Sequence, residues 1–452
     1  MALFRLFKQI SRNTRLPFRR SLEFQGHPRI GRRPHLKRES MKILHAADLH
    51  IDSPLRGLSR YEGAPEDDLR LATRRALDNL VRLATDLSVD AVLLAGDVYD
   101  GEWKDYQTGL YFSRQMALLG QAGIPVYMVS GNHDAQNRTM RTLKLPDNVH
   151  VFATGKPETV RNEQAGLAVH GQGFARWDLS DNLAAGYPAR DGGLFNVGLL
   201  HTGLDGSYSD HKRYAPCSVA DLEARDYDYW ALGHVHKQQI VRDEPWIVYP
   251  GNIQGRHARE TGPKGCIVVT VDSDLLVESV EHHDLDTARW ESLDVDVTGR
   301  DDIDQVLSLV AQRFQEIPEE RLTAVRVTLT GATSAHTALW RDRERILNEL
   351  RAAAGHHPNL WLEKVKVRTS SEDGGDCGGG ASGILTDLHR ALTVLGTNPD
   401  GLMAKLADHP LIGRIPPELR GPEGIAPNDP AWIGSLADDA YQVVESLLQE
   451  AR

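Results

Sequence analysis

Five short motifs rich in histidine and aspartate follow one another between residues 48 and 236, each after an apolar run. They are Asp48-Leu49-His50, Gly96-Asp97, Gly131-Asn132-His133-Asp134, His201-Thr202-Gly203 and Gly233-His234-Val235-His236. Carboxylate, amide and imidazole groups suit Mn²⁺ and similar divalent ions. The set predicts a pair of divalent ions held by seven ligands, namely Asp48, His50, Asp97, Asn132, His201, His234 and His236.

The spacing of the motifs assigns the ligands to two ions. One ion is predicted to receive Asp48, His50 and His236, and the other Asn132, His201 and His234. Asp97 is the expected bridge, because one carboxylate can bind both ions. Glycines precede several ligands, where the backbone must turn tightly.

His133 lies beside a predicted ligand without needing to be one. We predict that it donates a proton to the leaving oxygen of a phosphate ester, with Asp134 orienting its ring and raising its proton affinity. The expected reaction is in-line attack on phosphorus by a metal-bridging hydroxide.

The elements that position these motifs alternate between strand and helix from residue 41 to about 283. Predicted strands are Ile43–Ala47, Ala91–Ala95, Val126–Ser130, Val197–His201, Tyr229–Leu232 and Ile247–Tyr249; predicted helices include Leu69–Leu87 and Leu110–Gly120. This order predicts a layered α/β core with the motifs at the carboxyl ends of strands. Distant motifs then share one cleft.

The remainder of the chain divides into three further parts. Residues 284–370 have a β-α-β-α-β pattern that predicts a small accessory or capping domain, and residues 371–382 have the glycine-rich composition of a linker. Residues 383–452 contain two amphipathic helical patterns. These helices either pack on the body of the protein or bind a partner, and the pattern leaves both open.

Composition bounds the class of protein. The 452 residues lack the roughly 20-residue apolar stretch of a membrane span. The three cysteines are far apart, which favours a reducing cytoplasm over a disulfide framework. The net charge of −11 is unusual for a protein that binds nucleic acid, since Lys and Arg supply most DNA affinity.

Residues 1–40 differ from the rest of the chain. They contain eleven Lys and Arg against two acidic residues. Such a segment is typical of a transit peptide or a nucleic-acid-binding tail. Because Met41-Lys42-Ile43 resembles a natural start, we favour a disordered or misassigned extension.

The ordered motif set resembles the calcineurin-like metallophosphoesterase superfamily. The runs from His45 to Pro54 and from Gly96 to Gly109, and the loop from Tyr249 to Arg256, are similar to the bacterial YhaO group of DNA-repair exonucleases, relatives of the SbcD nuclease. The resemblance implies a β-sandwich flanked by helices, two Mn²⁺ ions, DNA as substrate, and a capping domain that shapes access. It also implies an SbcC-like coiled-coil ATPase partner docked through the carboxyl-terminal helices, and a possible homodimer.

One position departs from the wider family. Archaeal and eukaryotic relatives of SbcD have a histidine three residues after the bridging aspartate, where this chain has Asp100. We treat Asp100 as a candidate substrate-binding residue, together with Arg256 and His257 from a short basic run. That run is either a phosphate-binding segment or an ordinary solvated loop.

Two other functions remain open from the sequence. The five motifs also suit an enzyme that hydrolyses small phosphodiesters or phosphoproteins, although such a substrate requires neither the accessory domain nor the terminal helices. A non-catalytic scaffold is disfavoured because all seven predicted ligands and His133 are present.

Overall fold

The computed structural model describes residues 40–53, 63–100, 106–136, 143–205 and 214–372, and six positions between 426 and 436. The predicted extension (1–40), the linker (371–382) and the terminal helices (383–452) therefore lie almost wholly outside the described residues. No helix in the described ranges is long and apolar enough to cross a membrane.

The first of two six-stranded sheets contains the amino-terminal strand. Its strands, in sheet order, are β12 (Val277–Asp284), β11 (Gly265–Asp272), β1 (Ser40–Ala46), β2 (Ala91–Leu94), β3 (Val126–Met128) and β4 (Val149–Val151). The four strands from β1 to β4 are parallel, whereas β11 runs antiparallel to both β1 and β12. Consequently β1 to β3 all end at the same edge.

The second sheet follows in the chain. Its order is β5 (Glu158–Asn162), β6 (Leu167–Gly171), β7 (Phe195–His201), β8 (Tyr229–Gly233), β10 (Trp246–Tyr249) and β9 (Gln239–Asp243). The central four strands are parallel, and the edge strands β5 and β9 are antiparallel to their neighbours.

The two sheets pack face to face around one apolar core. Ile43 and Leu93 of the first sheet belong to the same buried cluster as Phe195 and Val197 of the second. All four side chains are almost completely excluded from solvent. Burial of each such side chain contributes about 1.5–3 kcal/mol, so the relative position of the sheets is strongly fixed.

Helices cover the outer faces of the sandwich. Helices α1 (Glu66–Asp86) and α2 (Tyr106–Gln121) pack on the first sheet. The short helices α3 (Asn132–Gln136) and α4 (Val219–Glu223) follow β3 and β7, and α4 packs against the second sheet near Trp230. The predicted layered α/β sandwich flanked by helices is confirmed.

The accessory unit has a separate three-stranded parallel sheet and its own core. Its elements are β13 (Ala288–Asp296), α5 (Ile303–Phe314), β14 (Leu322–Ala332), α6 (His336–Arg341), α7 (Arg343–Ala354) and β15 (Leu360–Ser370). The β-α-β-α-β pattern predicted one helix between the last two strands, but the structure has two, because Asp342 leaves the helical conformation with ψ 33°. A second buried cluster, which includes Leu69 of α1 and Trp290 of β13, joins this unit to the sandwich.

Candidate metal centre

The predicted ligands lie where strands of both sheets end. Asp48 and His50 follow β1, Asp97 follows β2, and His201 ends β7. Asp48, His50 and Asp97 have φ angles of 51°, 41° and 52°, and His234, after β8, has 105°. Residues other than glycine rarely adopt this left-handed backbone conformation, and those that do cluster at functional sites.

Glycines allow the turns to approach one another. A Cβ atom at Gly131 would lie 2.2 Å from Oδ1 of Asp97, and one at Gly233 would lie 2.0 Å from the carbonyl oxygen of Ala95. No side chain fits at either position without moving the backbone that carries a ligand.

The first ligand group joins Asp48, His50 and His236. The Nε2 atoms of His50 and His236 are 3.2 Å apart, and Nε2 of His236 is 3.8 Å from Oδ1 of Asp48. One ligand atom from each of the three residues lies within 4.8 Å of the others. The structure thus brings together the three residues predicted for one ion.

Asp97 lies between this group and the second one. Its Oδ2 atom is 4.0 Å from Nε2 of His50 and 3.4 Å from Nε2 of His201. Asp48, Asp97 and His201 form a second group within the same 4.8 Å limit. Asp97 has the position expected of a bridging ligand, and Asp48 contributes to both groups.

The other two predicted ligands lie beside His201. Oδ1 of Asn132 is 3.0 Å from Nε2 of His201. The ring of His234 is 5.3 Å from that of His201, although His234 belongs to none of the three close groups of potential ligands in the described residues. Its backbone N–H donates to Asp48 at 2.9 Å, which ties the two sheets together at the site.

Hydrogen bonds orient two of the histidines. Nδ1 of His201 is 2.9 Å from the carbonyl oxygen of Ala95, and Nδ1 of His236 is 2.6 Å from Oε1 of Glu260. When each Nδ1 donates a proton, the Nε2 lone pair points into the site. This is the usual support of a metal-bound imidazole.

Glu260 was missed by the sequence analysis. Besides His236, it accepts hydrogen bonds from Nδ2 of Asn252 and from the backbone N–H of Arg256, at 2.9 and 2.8 Å. Its side chain is buried. One signal in the sequence could have indicated Glu260: it is an acidic residue within the short basic run that contains Arg256 and His257.

The electrostatics of the site reflect crowding of opposite charges. Burial lowers the pKa of His201, but Asp97 outweighs that effect and raises it to about 9. Burial also disfavours the charged form of Asp97, yet His201 holds the pKa of this carboxyl well below its usual range. Because a ligating imidazole must be deprotonated, protons compete with a metal ion at His201.

His133 has a partner that the sequence analysis did not assign to it. Nδ1 of His133 lies 3.0 Å from Oδ1 of Asp100, while the imidazole is 38% exposed. The other oxygen of Asp100 accepts from Oγ of Ser53 at 2.6 Å. Burial lowers the pKa of His133, but Asp100 and Asp97 reverse this effect and raise it.

The predicted role of Asp134 is wrong. Its carboxylate accepts hydrogen bonds from the backbone N–H groups of Val98, Tyr99 and Gly131, at 3.3, 3.1 and 3.0 Å. Successive residues in a helix point about 100° apart, so Asp134 turns away from its neighbour His133. Asp134 instead stabilises the turn that carries Asn132.

The three candidate substrate-binding residues differ in position. Arg256 is nearly buried, with Nη1 3.5 Å from Asp100 and Nη2 3.2 Å from Glu260. Asp100 lies among Ser53, Arg256 and His133, so its position suits orientation of His133 better than contact with an anionic phosphate. His257 is 43% exposed and lies 3.7 Å from Glu260 at the outer edge.

The residues fit a pair of divalent ions. Two imidazole nitrogens, one from buried His50 and one from partly buried His236, face each other at 3.2 Å beside carboxylate oxygens, an arrangement that a cation between them would satisfy. The mixed nitrogen and oxygen donors are those that transition metal ions prefer. The geometry places both sets of donors around one shared carboxylate, that of Asp97.

Comparison with known proteins places the chain in a family. Residues 41–238 match the calcineurin-like phosphoesterase family model, and residues 290–370 match the middle domain of the metallophosphoesterase YhaO. The metallophosphoesterase YhaO of Bacillus subtilis is 34% identical over 297 residues, 64% of this chain and 72% of that protein.

More distant relatives also match. The DNA double-strand break repair protein Mre11 of Methanosarcina mazei is 21% identical over 364 residues, 74% of this chain. The match spans only 55% of that archaeal protein. A solved dimetal phosphatase from Danio rerio aligns with 53% of this chain and 94% of its own, at 13% identity and a TM-score of 0.33.

Proposed function

The chain belongs to the YhaO group of calcineurin-like metallophosphoesterases, and from that premise we propose that it is a Mn²⁺-dependent DNA exonuclease that acts in DNA repair in the cytoplasm. The observation that carries the chemistry is the position of Asp97. This carboxylate lies between His50 and His201, and its Oδ1 atom accepts the backbone N–H of His133 at 2.9 Å. A predicted proton donor is thereby held beside the predicted bridging ligand.

The side chains divide the work of hydrolysis. The two groups, Asp48 with His50 and His236 and Asp97 with Asp48 and His201, would hold the ions, which when bound would supply an activated water and offset negative charge on the phosphoryl oxygens. Nδ1 of His133 faces Asp100, so the proton given to the leaving oxygen comes from Nε2. Arg256 holds Asp100 and Glu260 in place by charge, and its contact with a phosphate stays a prediction.

DNA as the substrate is supported by the relatives rather than by net charge. The Mre11 match extends beyond the sandwich to 74% of the chain. A chain of charge −11 gains little DNA affinity from its overall field. We therefore propose an SbcC-like coiled-coil ATPase partner that supplies part of the affinity, and a homodimer as the assembly that it binds.

The experiment is cleavage of end-labelled linear DNA, single-stranded and duplex, in the presence of Mn²⁺. The His133→Asn and Asp97→Asn variants are compared with the wild type, and bound metal is counted in each protein. We expect Mn²⁺-dependent shortening by the wild type. The His133 variant should bind both ions and cleave nothing, whereas the Asp97 variant should lose at least one ion.

Three outcomes would change the proposal. Full activity of the His133 variant would exclude it as the proton donor. Cleavage of a small diester such as methyl p-nitrophenyl phosphate, with no cleavage of DNA even when the ATPase is added, would favour a small-molecule phosphodiesterase. A wild-type protein that binds no ions would exclude both the DNA exonuclease and the small-molecule phosphodiesterase.

A further inference from the structure

Aromatic side chains line the His201 and His234 side of the metal centre, and the proposed reaction does not use them. The ring of Tyr214 lies 5.6 Å from that of His234, edge to face. The indole of Trp177 lies 6.5 Å from the ring of Tyr214 and is 47% exposed. The indole is therefore within about 12 Å of a predicted metal ligand.

The segment that carries Trp177 is anchored on both sides. Before it, the backbone N–H of Phe174 donates to the carbonyl oxygen of Ser130 at 3.0 Å, and the buried ring of Phe174 packs edge-on against His201 at 5.5 Å. After it, the carbonyl oxygen of Leu179 accepts from the N–H of Ala215 at 2.7 Å. The backbone segment that carries the exposed indole is thus anchored on both sides.

These residues have the composition of a site that binds single-stranded nucleic acid. Such sites combine aromatic rings, on which bases stack, with cations that contact the backbone. Arg176 precedes Trp177, is 60% exposed and lies 3.4 Å from Asp178. An isolated exposed tryptophan needs no explanation, but this one adjoins a phosphodiesterase site whose substrates carry flat rings.

We propose that Trp177 and Tyr214 form a stacking surface for an unpaired nucleobase next to the scissile phosphate. This inference rests on the proposed nuclease function and specifies its substrate. A base inside a duplex is stacked on both faces, so it cannot also stack on an indole. The enzyme should therefore prefer single strands or frayed ends to fully paired DNA.

The test compares two substrates of equal length and charge, oligothymidylate and an oligonucleotide whose residues all lack the base. For the wild type with Mn²⁺, the KM for the abasic strand should exceed that for oligothymidylate by roughly 5- to 150-fold, the contribution of one base–aromatic stack. In Trp177→Ala the two KM values should become nearly equal. Trp177→Phe should retain most of the difference.

Leu276→Ala provides the matched control, because Leu276 is an exposed apolar residue, 65% accessible, between β11 and β12. This variant should keep the wild-type ratio of the KM for the abasic strand to the KM for oligothymidylate. A Trp177→Ala ratio equal to that of the wild type, or equal weakening of both substrates, would overturn the stacking surface while leaving the nuclease intact. A wild type that cleaves duplex DNA but neither single strand would also overturn the stacking surface alone. A wild type that cleaves no DNA, even when the ATPase is added, would instead refute the nuclease function, and this inference with it.

Discussion

Replacement of Glu260 by Gln should weaken metal binding at His236. Oε1 of Glu260 is 2.6 Å from Nδ1 of His236, and Oε2 accepts from Asn252 and from the N–H of Arg256. Both glutamate oxygens face donors. A glutamine offers only one oxygen, so its NH₂ group must face a donor on one side.

The structure indicates which side changes. Oε2 accepts from Asn252 and from the backbone of Arg256 at 2.9 and 2.8 Å, whereas on the Oε1 side the guanidinium of Arg256 makes a longer contact of 3.2 Å. The amide oxygen should therefore remain at the Oε2 position, and the NH₂ group should face His236. The imidazole of His236 then changes tautomer: its Nδ1 accepts a hydrogen bond from the NH₂ group, and its proton moves to Nε2, the atom that points toward Asp48. Loss of such support typically costs 10- to 100-fold in metal affinity, about 1.4–2.7 kcal/mol.

Calorimetric titration of the metal-free protein with Mn²⁺ measures this loss, with thermal unfolding as a check on folding. Glu158→Gln is the matched control, since Glu158 lies 2.9 Å from Nε2 of His150 in another glutamate–histidine pair that has no predicted ligand. It should bind Mn²⁺ as the wild type does. Unchanged affinity in Glu260→Gln, with the protein folded, would refute the tautomer argument.

Two further substitutions test other parts of the site. Asp100→Asn should lower kcat by about 100-fold with both ions retained, because a positioned general acid contributes at least that much. The carboxylate raises the pKa of His133, so its loss should move the alkaline limb of the kcat–pH profile to lower pH; an unmoved limb would contradict the pairing. Gly131→Ala should lower kcat/KM by about 100-fold, because its Cβ displaces Asp97, whereas Gly155→Ala, in open space, should be neutral.

The sequence predicted the features that local pattern encodes. Apolar runs such as Ala91–Ala95 became buried parallel strands, and each motif lies at or just beyond a carboxyl end, because strands in parallel sheets end at a common edge. The antiparallel pair β11 and β12 was not predicted. Its strands alternate buried and exposed residues only in part, and their pairing depends on contact with the distant β1.

Contacts between distant segments limited the prediction of the site. Glu260 reaches His236 across 24 residues, a relation that no local spacing encodes. Asp134 was assigned to His133 by adjacency, whereas the fold gives that position to Asp100, 33 residues earlier. Neighbouring residues in a helix point their side chains in different directions, whereas turns at the ends of strands bring side chains together that are distant in sequence.

The division of the ligands between two sheets has a consequence for how this chain can evolve. Asp48, His50, Asp97 and Asn132 follow strands of the first sheet, whereas His201 ends a strand of the second sheet and His234 and His236 follow another. Ions bound here would therefore crosslink the two sheets, and the separation of the sheets is set by side chains such as Phe195 in their shared core. Substitutions in that core can alter the separation, and with it the preferred ion, while every ligand stays the same.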